Sequence, residues 1–127
     1  MSALVVDTSS WISYFAGRAA GPIDEALDEA RVHLPAVVVA ELLSGTLSKK
    51  ERAALEDVLR SLPLCGDGYA HWARVGALRA NLRGHGLAVS TPDAHVAQVA
   101  LDLDAELLTE DAIFRKIARY APLRLLD

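Results

Sequence analysis

The 127-residue chain is 52% hydrophobic and 24% charged, with eight Gly, five Pro and one Cys. That much apolar side chain can offset the conformational entropy of folding, which excludes a disordered chain, and the length fits one domain, residues 1–127, with a real core. Thirteen Lys plus Arg against seventeen Asp plus Glu give a net charge of −4, which argues against a nucleic-acid partner held by bulk positive charge.

Leu4, Val5 and Val6 form a short apolar, β-branched run that stops at Asp7, and Thr8, Ser9 and Ser10 offer hydroxyl caps for a helix carrying Trp11, Ile12, Tyr14 and Phe15. Gly17 and Gly21-Pro22 break the chain before a short acidic helix over residues 23–30. Val32 to Leu34 is the next strand, and Pro35 suits the first turn of the helix after it. Ser48-Lys49-Lys50-Glu51 has capping-box spacing and leads into Leu55, Val58, Leu59 and Leu62 at helical period. Residues 63–65 read as a weak strand. Gly66-Asp67-Gly68 then turns into a long helix that holds Tyr69, Trp72, Leu78 and Leu82 and ends near Gly84 and Gly86. Thr91 as N-cap and Pro92 as first helical residue start a helix through about Leu101. Glu106 to Leu108 is a strand ending in Thr109-Glu110-Asp111, a helix with Ile113, Phe114 and Ile117 follows, and residues 123–126 close as a strand. Strands alternating with helices predict an α/β fold: a short parallel sheet with helices on both faces and a ligand site beyond the carboxyl ends of the strands. No apolar run approaches the roughly 20 residues of a bilayer span, the opening stretch lacks the basic flank of a signal peptide, and lone Cys65 forms no internal disulfide. The expectation is a cytoplasmic protein with no membrane partner.

Four acids stand where acids are costly. Glu41 lies in the otherwise apolar stretch of residues 36–43, and a helix apolar all round is normally buried, so Glu41 either reaches solvent at the helix end or needs a cation, an Arg or Lys, or a raised pKa. Asp93 shares a helix face with Val96, Ala97 and Ala100 and points inward, while His95, Gln98 and Asp102 share a more polar face. Asp7 and Asp111 each follow a strand, where either could cap the next helix. One shared explanation covers all four: carboxylates crowd together only around a counter-charge, and hard oxygen ligands without His or Cys select Mg²⁺ or Mn²⁺. Setting these four aside leaves thirteen acids against thirteen Lys plus Arg, so the acidity is local. Arg74, Arg79 and Arg83 on one helix, and Arg115, Lys116 and Arg119 on another, are candidate phosphate contacts at the rim. His33, His71, His85 and His95 lack metal-ligand spacing and read as structural or surface residues, Cys65 as a small core residue, and Trp11 and Trp72 as core or interface aromatics.

The ordered set of four segments resembles the PIN-domain nucleases, and most closely the VapC-type toxin ribonucleases of toxin–antitoxin pairs. The segments are Val5-Val6-Asp7-Thr8-Ser9-Ser10-Trp11-Ile12, Val39-Ala40-Glu41-Leu42-Leu43-Ser44-Gly45, Pro92-Asp93-Ala94-His95-Val96-Ala97, and Leu108-Thr109-Glu110-Asp111 with Phe114. Arg83-Gly84-His85-Gly86 also looks like a spacer found there in this family. The resemblance implies a PIN-like fold and an Mg²⁺-dependent endoribonuclease in which Asp7, Glu41, Asp93 and Asp111 bind metal, with Ser9 and Thr109 as supporting hydroxyls. It further implies an RNA substrate, a cognate antitoxin and a homodimer. Ile113 is a departure, since many relatives carry a further acid there. Thr8-Ser9 after Asp7 fits neither a receiver domain, which needs paired acids after its first strand, nor a haloacid-dehalogenase-type phosphatase, which needs an acid at the Ser9 position. The alternative from another class is a PIN-like module that holds RNA or protein without cutting.

Overall fold

A computed structural model describes residues 2–18 and 21–127. The elements in chain order are β1 (Leu4–Val6), α1 (Thr8–Phe15), α2 (Gly21–Asp28), β2 (Val32–Pro35), α3 (Ala36–Leu43), α4 (Lys49–Arg60), β3 (Leu64–Cys65), α5 (Gly68–Gly84), α6 (Thr91–Leu103), β4 (Glu106–Leu108), α7 (Ile113–Ile117) and β5 (Arg124–Leu125). The strands form one sheet in the order β3-β2-β1-β4-β5, and every pairing is parallel. Parallel strands need crossovers, which the helices supply.

The strand order locates the site. From β1 the chain winds outward through β2 to β3, then returns to the other side of β1 to lay down β4 and β5. The carboxyl ends of β1 and β4 therefore flank the point where the winding reverses, the crevice in which open α/β sheets bind ligands. Val6 pairs with Leu108, and the Asp7 N–H donates to the Leu108 carbonyl at 2.9 Å. Asp7 and Thr109 thus leave the sheet side by side.

β1 is wholly buried, and Trp11, Leu34, Val38, Leu107, Phe114 and Ile117 pack into the same core. α6 is buried on every side over residues 94–100, packed against α5, α3 and α7 as well as β1, β2 and β4. His95 and Gln98 are accordingly interior, at 0% and 8% exposure, and the polar face expected for them is reduced to exposed Asp102.

Other boundaries differ from the sequence reading for local reasons. Gly21 and Pro22 form the first turn of α2 instead of preceding it; Pro fits a first turn because its missing N–H would be unpaired there. Pro35 ends β2 and caps α3. Ser90, not Thr91, caps α6, its hydroxyl accepting the Asp93 N–H at 3.2 Å. The final strand is two residues, Arg124–Leu125. The capping box of α4 forms as its sequence predicts, with Ser48 and Glu51 each bonding the other's backbone N–H.

Candidate functional site

Asp7 occupies the N-cap position of α1, yet its carboxylate makes no capping bond. Backbone alone opens that helix, as the Ser10 and Trp11 N–H groups donate to the Asp7 carbonyl. The side chain, 6% exposed, is held from the other side: the Ser9 and Thr109 hydroxyls both donate to Oδ2 at 3.0 Å. Among the described residues no donor reaches Oδ1. Ser9 and Thr109 are themselves anchored, since Ser9 Oγ accepts the Glu110 N–H and Thr109 Oγ1 accepts the Asp111 N–H, each at 3.0 Å. This hydroxyl pair ties the end of β1 to the end of β4 and fixes one carboxylate between them.

Asp111 is exposed at the start of the turn into α7, and its Oδ1 accepts the Ile113 N–H at 3.1 Å. That bond closes the turn leading into α7, whose N-cap position is Ala112. Glu41 is exposed, so of the two outcomes open to it the residue reaches solvent; α3 buries only Val38 and Leu42, and the expectation of a helix buried all round is corrected. Val38 and Leu42 face the core with Val37, Val39 and Leu43 partly buried beside them, while Ala40 and Glu41 lie on the solvent side of the helix. Glu41 is nonetheless oriented, because the Thr8 hydroxyl donates to Oε1 at 2.7 Å. Thr8 and Ser90 were missed as site residues: the hydroxyl run after Asp7 reads equally well as helix capping, and nothing in the sequence separates the two uses.

Asp93 lies half-buried in the first turn of α6. Its carboxyl is pushed above the usual range, first by burial, then by the negative charges of Asp111, Asp7 and Glu41, while a hydrogen bond with Ser90 works the other way. The charges of the other three acids thus all reach Asp93. Among the described residues no three His, Cys, Asp or Glu side chains close around a point as a finished cage. The donor chemistry is that of a hard divalent cation: carboxylate and hydroxyl oxygen, with no nitrogen or sulfur. Carboxylates that repel one another stay apart until a cation draws them in.

The six basic candidates separate. Arg74 is taken by Asp102, through Nε at 3.1 Å and Nη2 at 2.9 Å. Arg115 reaches Asp127 at 3.4 Å and lines a 160 Å³ cleft with Thr109 and Asp111. Lys116 and Arg119 are exposed at the end of α7. Arg79 and Arg83 line a second cleft with Ala88, Val89 and Ser90.

His71 and His95 make a buried pair that the sequence did not disclose. The Val37 N–H, an otherwise unpaired donor in the first turn of α3, donates to His95 Nε2 at 3.3 Å. That nitrogen therefore carries no proton, and His95 Nδ1, 2.7 Å from His71 Nε2, donates to it. Burial, with the neighbouring His71, pushes His95 down to about 4, and burial lowers His71 as well. Cys65, expected in the core, is half-buried at the edge strand β3.

Comparison with known proteins agrees with this architecture. The PIN domain family model matches residues 4–120. The chain is 30% identical to VapC ribonuclease Mb1587 of Mycobacterium bovis and to ribonuclease VapC11 of Mycobacterium tuberculosis, over 95% of this chain and 96% of each relative. Among solved structures, DNA-bound VapBC from Salmonella typhimurium superimposes with a TM-score of 0.80 at 22% identity, covering 100% of this chain and 98% of that one. VapBC2 from Rickettsia felis, bound to a promoter DNA fragment, gives 0.77 at 18% identity over 97% and 96%. A five-stranded parallel sheet flanked by helices, a family match across nearly its whole length and full-length VapC relatives together place this chain in the PIN-domain family, on its VapC branch.

Proposed function

We propose that the protein is a divalent-metal-dependent endoribonuclease, the toxin of a VapBC-type pair, and that Asp7, Glu41, Asp93 and Asp111 are its metal-binding acids. The observation that carries this reading is the crevice itself, where Ser9 and Thr109 hold the nearly buried Asp7 carboxylate between the ends of β1 and β4, and where the charges of Asp7, Glu41 and Asp111 reach the half-buried Asp93. Mg²⁺ or Mn²⁺ held by these acids would supply a water of lowered pKa and neutralise charge at a phosphodiester. The chain's own part is positional. Ser9 and Thr109 hold the Asp7 carboxylate through one oxygen, Thr8 holds Glu41, and the rigid first turn of α6 presents Asp93. No histidine base is needed, since both interior histidines are committed to each other and to α3.

The VapBC neighbours are complexes, which supports a cognate antitoxin as partner here; an arginine fork from such a partner is the natural guest for four carboxylates. We extend the proposal to a homodimer and to a cytoplasmic setting. No helix among the described residues is long and apolar enough to cross a membrane.

The test is cleavage of a labelled single-stranded RNA by purified protein. Cutting in Mg²⁺ or Mn²⁺, none in EDTA, and none by a folded Glu41→Gln variant are expected. Equal cutting in EDTA would overturn the metal assignment. RNA bound but never cut would establish the non-catalytic module instead.

A further inference from the structure

α5 is the longest helix and has no acidic residue in its seventeen, GYAHWARVGALRANLRG, in a protein whose net charge is −4. Its buried stripe is His71, Val75 and Leu82. Beside that stripe Trp72, Gly76, Arg79 and Arg83 follow one another at spacings of four, three and four, and so share one face over about 16 Å of helix.

The two ends of this face are built differently. At one end the Trp72 indole, 44% exposed, lies flat on buried His95, ring centroids 4.8 Å apart and 14° from parallel, with His71 edge-on at 5.0 Å. His95 is pinned from both sides, so the indole has a fixed backing and an open outer face. At the other end Arg79 Nε donates to the Val89 carbonyl at 2.8 Å, which orients its guanidinium. Arg79 and Arg83 line a 280 Å³ cleft that reaches Ser90, the cap of α6, one turn before Asp93. Among the described residues neither arginine lies within ion-pair distance of a carboxylate. Between the ends, a side chain at Gly76 would meet nothing within 4 Å, so the helix surface is open there.

The geometry points to this face of α5 as the track for the substrate strand: Arg83 and Arg79 take phosphates of a single-stranded RNA leaving the acidic site, and Trp72 stacks one of its bases. Chemistry selects the occupant. A single strand offers what this face can hold: phosphates for Arg79 and Arg83, which no carboxylate among the described residues pairs, and base faces for the rings of Trp72 and, three residues before it, Tyr69, exposed at 44% and 89%. An aromatic ring in line with free cations is the arrangement that holds single strands without reading their sequence. A duplex hides its base faces and offers Trp72 nothing to stack on. The inference rests on the ribonuclease reading for the identity of the strand, but its binding prediction can be tested without cleavage.

The probe is a twelve-nucleotide single-stranded RNA of mixed sequence, titrated in Mg²⁺ into protein carrying Glu41→Gln so that binding is read apart from cutting. Trp11 is fully buried, so quenching of emission reports Trp72. The expected result is quenching by the single strand and not by a duplex of equal length. Trp72→Ala is expected to weaken binding about tenfold and Trp72→Phe to restore most of it. Arg83→Ala should lower the slope of log affinity against log salt by about 0.7, the value for one phosphate contact on a single strand. With Glu41 intact, Trp72→Ala should raise KM and leave kcat near wild type. Absence of quenching, or wild-type affinity and salt slope in Trp72→Ala and Arg83→Ala, would overturn the track even if the enzyme cuts. Quenching with a wild type that never cuts would keep the track and sink the nuclease reading. A fall in the sedimentation mass of Trp72→Ala would identify the face as a protein interface and likewise overturn the proposal.

Discussion

Asp93 is half-buried, and its carboxyl is raised by burial and by the charges of Asp111, Asp7 and Glu41. Like charges around a partly desolvated group destabilise the metal-free fold, and a cation that binds only the native state relieves them by mass action. Asp93→Asn is therefore expected to melt about 3 °C above wild type in EDTA, the equivalent of roughly 1 kcal/mol, and to gain less from Mn²⁺. Identical melting temperatures for both proteins, with and without Mn²⁺, would show that the acids do not share a pocket. This layer was legible in the sequence only in part: Asp93 is half-buried as its helix face implies, whereas Glu41, amid apolar neighbours, lies exposed. What stayed hidden is the part each carboxylate plays: Asp7 and Asp111 occupy equivalent places after strands, but the Ser9–Thr109 hydroxyl pair across the sheet engages the first, while Asp111 accepts the Ile113 N–H in the turn before α7.

At the scale of elements, α3, α5 and α6 meet at the histidine pair, and two consequences can be measured. The first concerns pH. Unfolded histidine titrates near 6.5 and His95 in the fold at about 4. Between these values the unfolded chain binds more protons. The stabilisation is therefore complete above the unfolded value and lost as pH falls through it, by roughly 2 kcal/mol from pH 7 to pH 5. Denaturant titrations should show this slope in wild type and a shallower one in His95→Gln, whose amide can still accept the Val37 N–H; equal slopes would contradict the assignment. The second concerns Gly66, whose φ of +91° lies in the left-handed region and whose added Cβ would stand 2.4 Å from the His95 ring. Gly66→Ala should cost about 2–4 kcal/mol. Gly76→Ala, open on all sides within α5, should instead stabilise by about 0.5–1 kcal/mol. Equal effects at the two glycines in chemical unfolding would refute the packing described. Helix periodicity and the capping box made most elements readable in advance. The polar face expected for His95 failed because an imidazole reads as polar in sequence, while a partner 24 residues away can satisfy it in the interior.

For the whole molecule, α1 leaves Ile12 and Phe15 exposed at 55% and 44%, with Phe15 stacked on Trp11 at 5.7 Å. Such an apolar ridge suits the two-fold contact of the proposed homodimer. Phe15→Glu should convert a dimer to a monomer in sedimentation at micromolar concentration, and a monomeric wild type would remove the basis for it. The strand order has a further consequence, in time. β1 is made first, but its neighbour β4 begins at residue 106, and the Asp7 carboxylate takes one of its two hydroxyl bonds from Thr109, 102 residues later. A nascent chain can pair β1 with β2 and build the early helices, yet it has no crevice until β4 and Thr109 have left the ribosome. Acid by acid the site is spread along the chain, but as a cleft it comes into being only once β4 has paired with β1. The cleft is thereby withheld from any nascent chain that has not yet made β4.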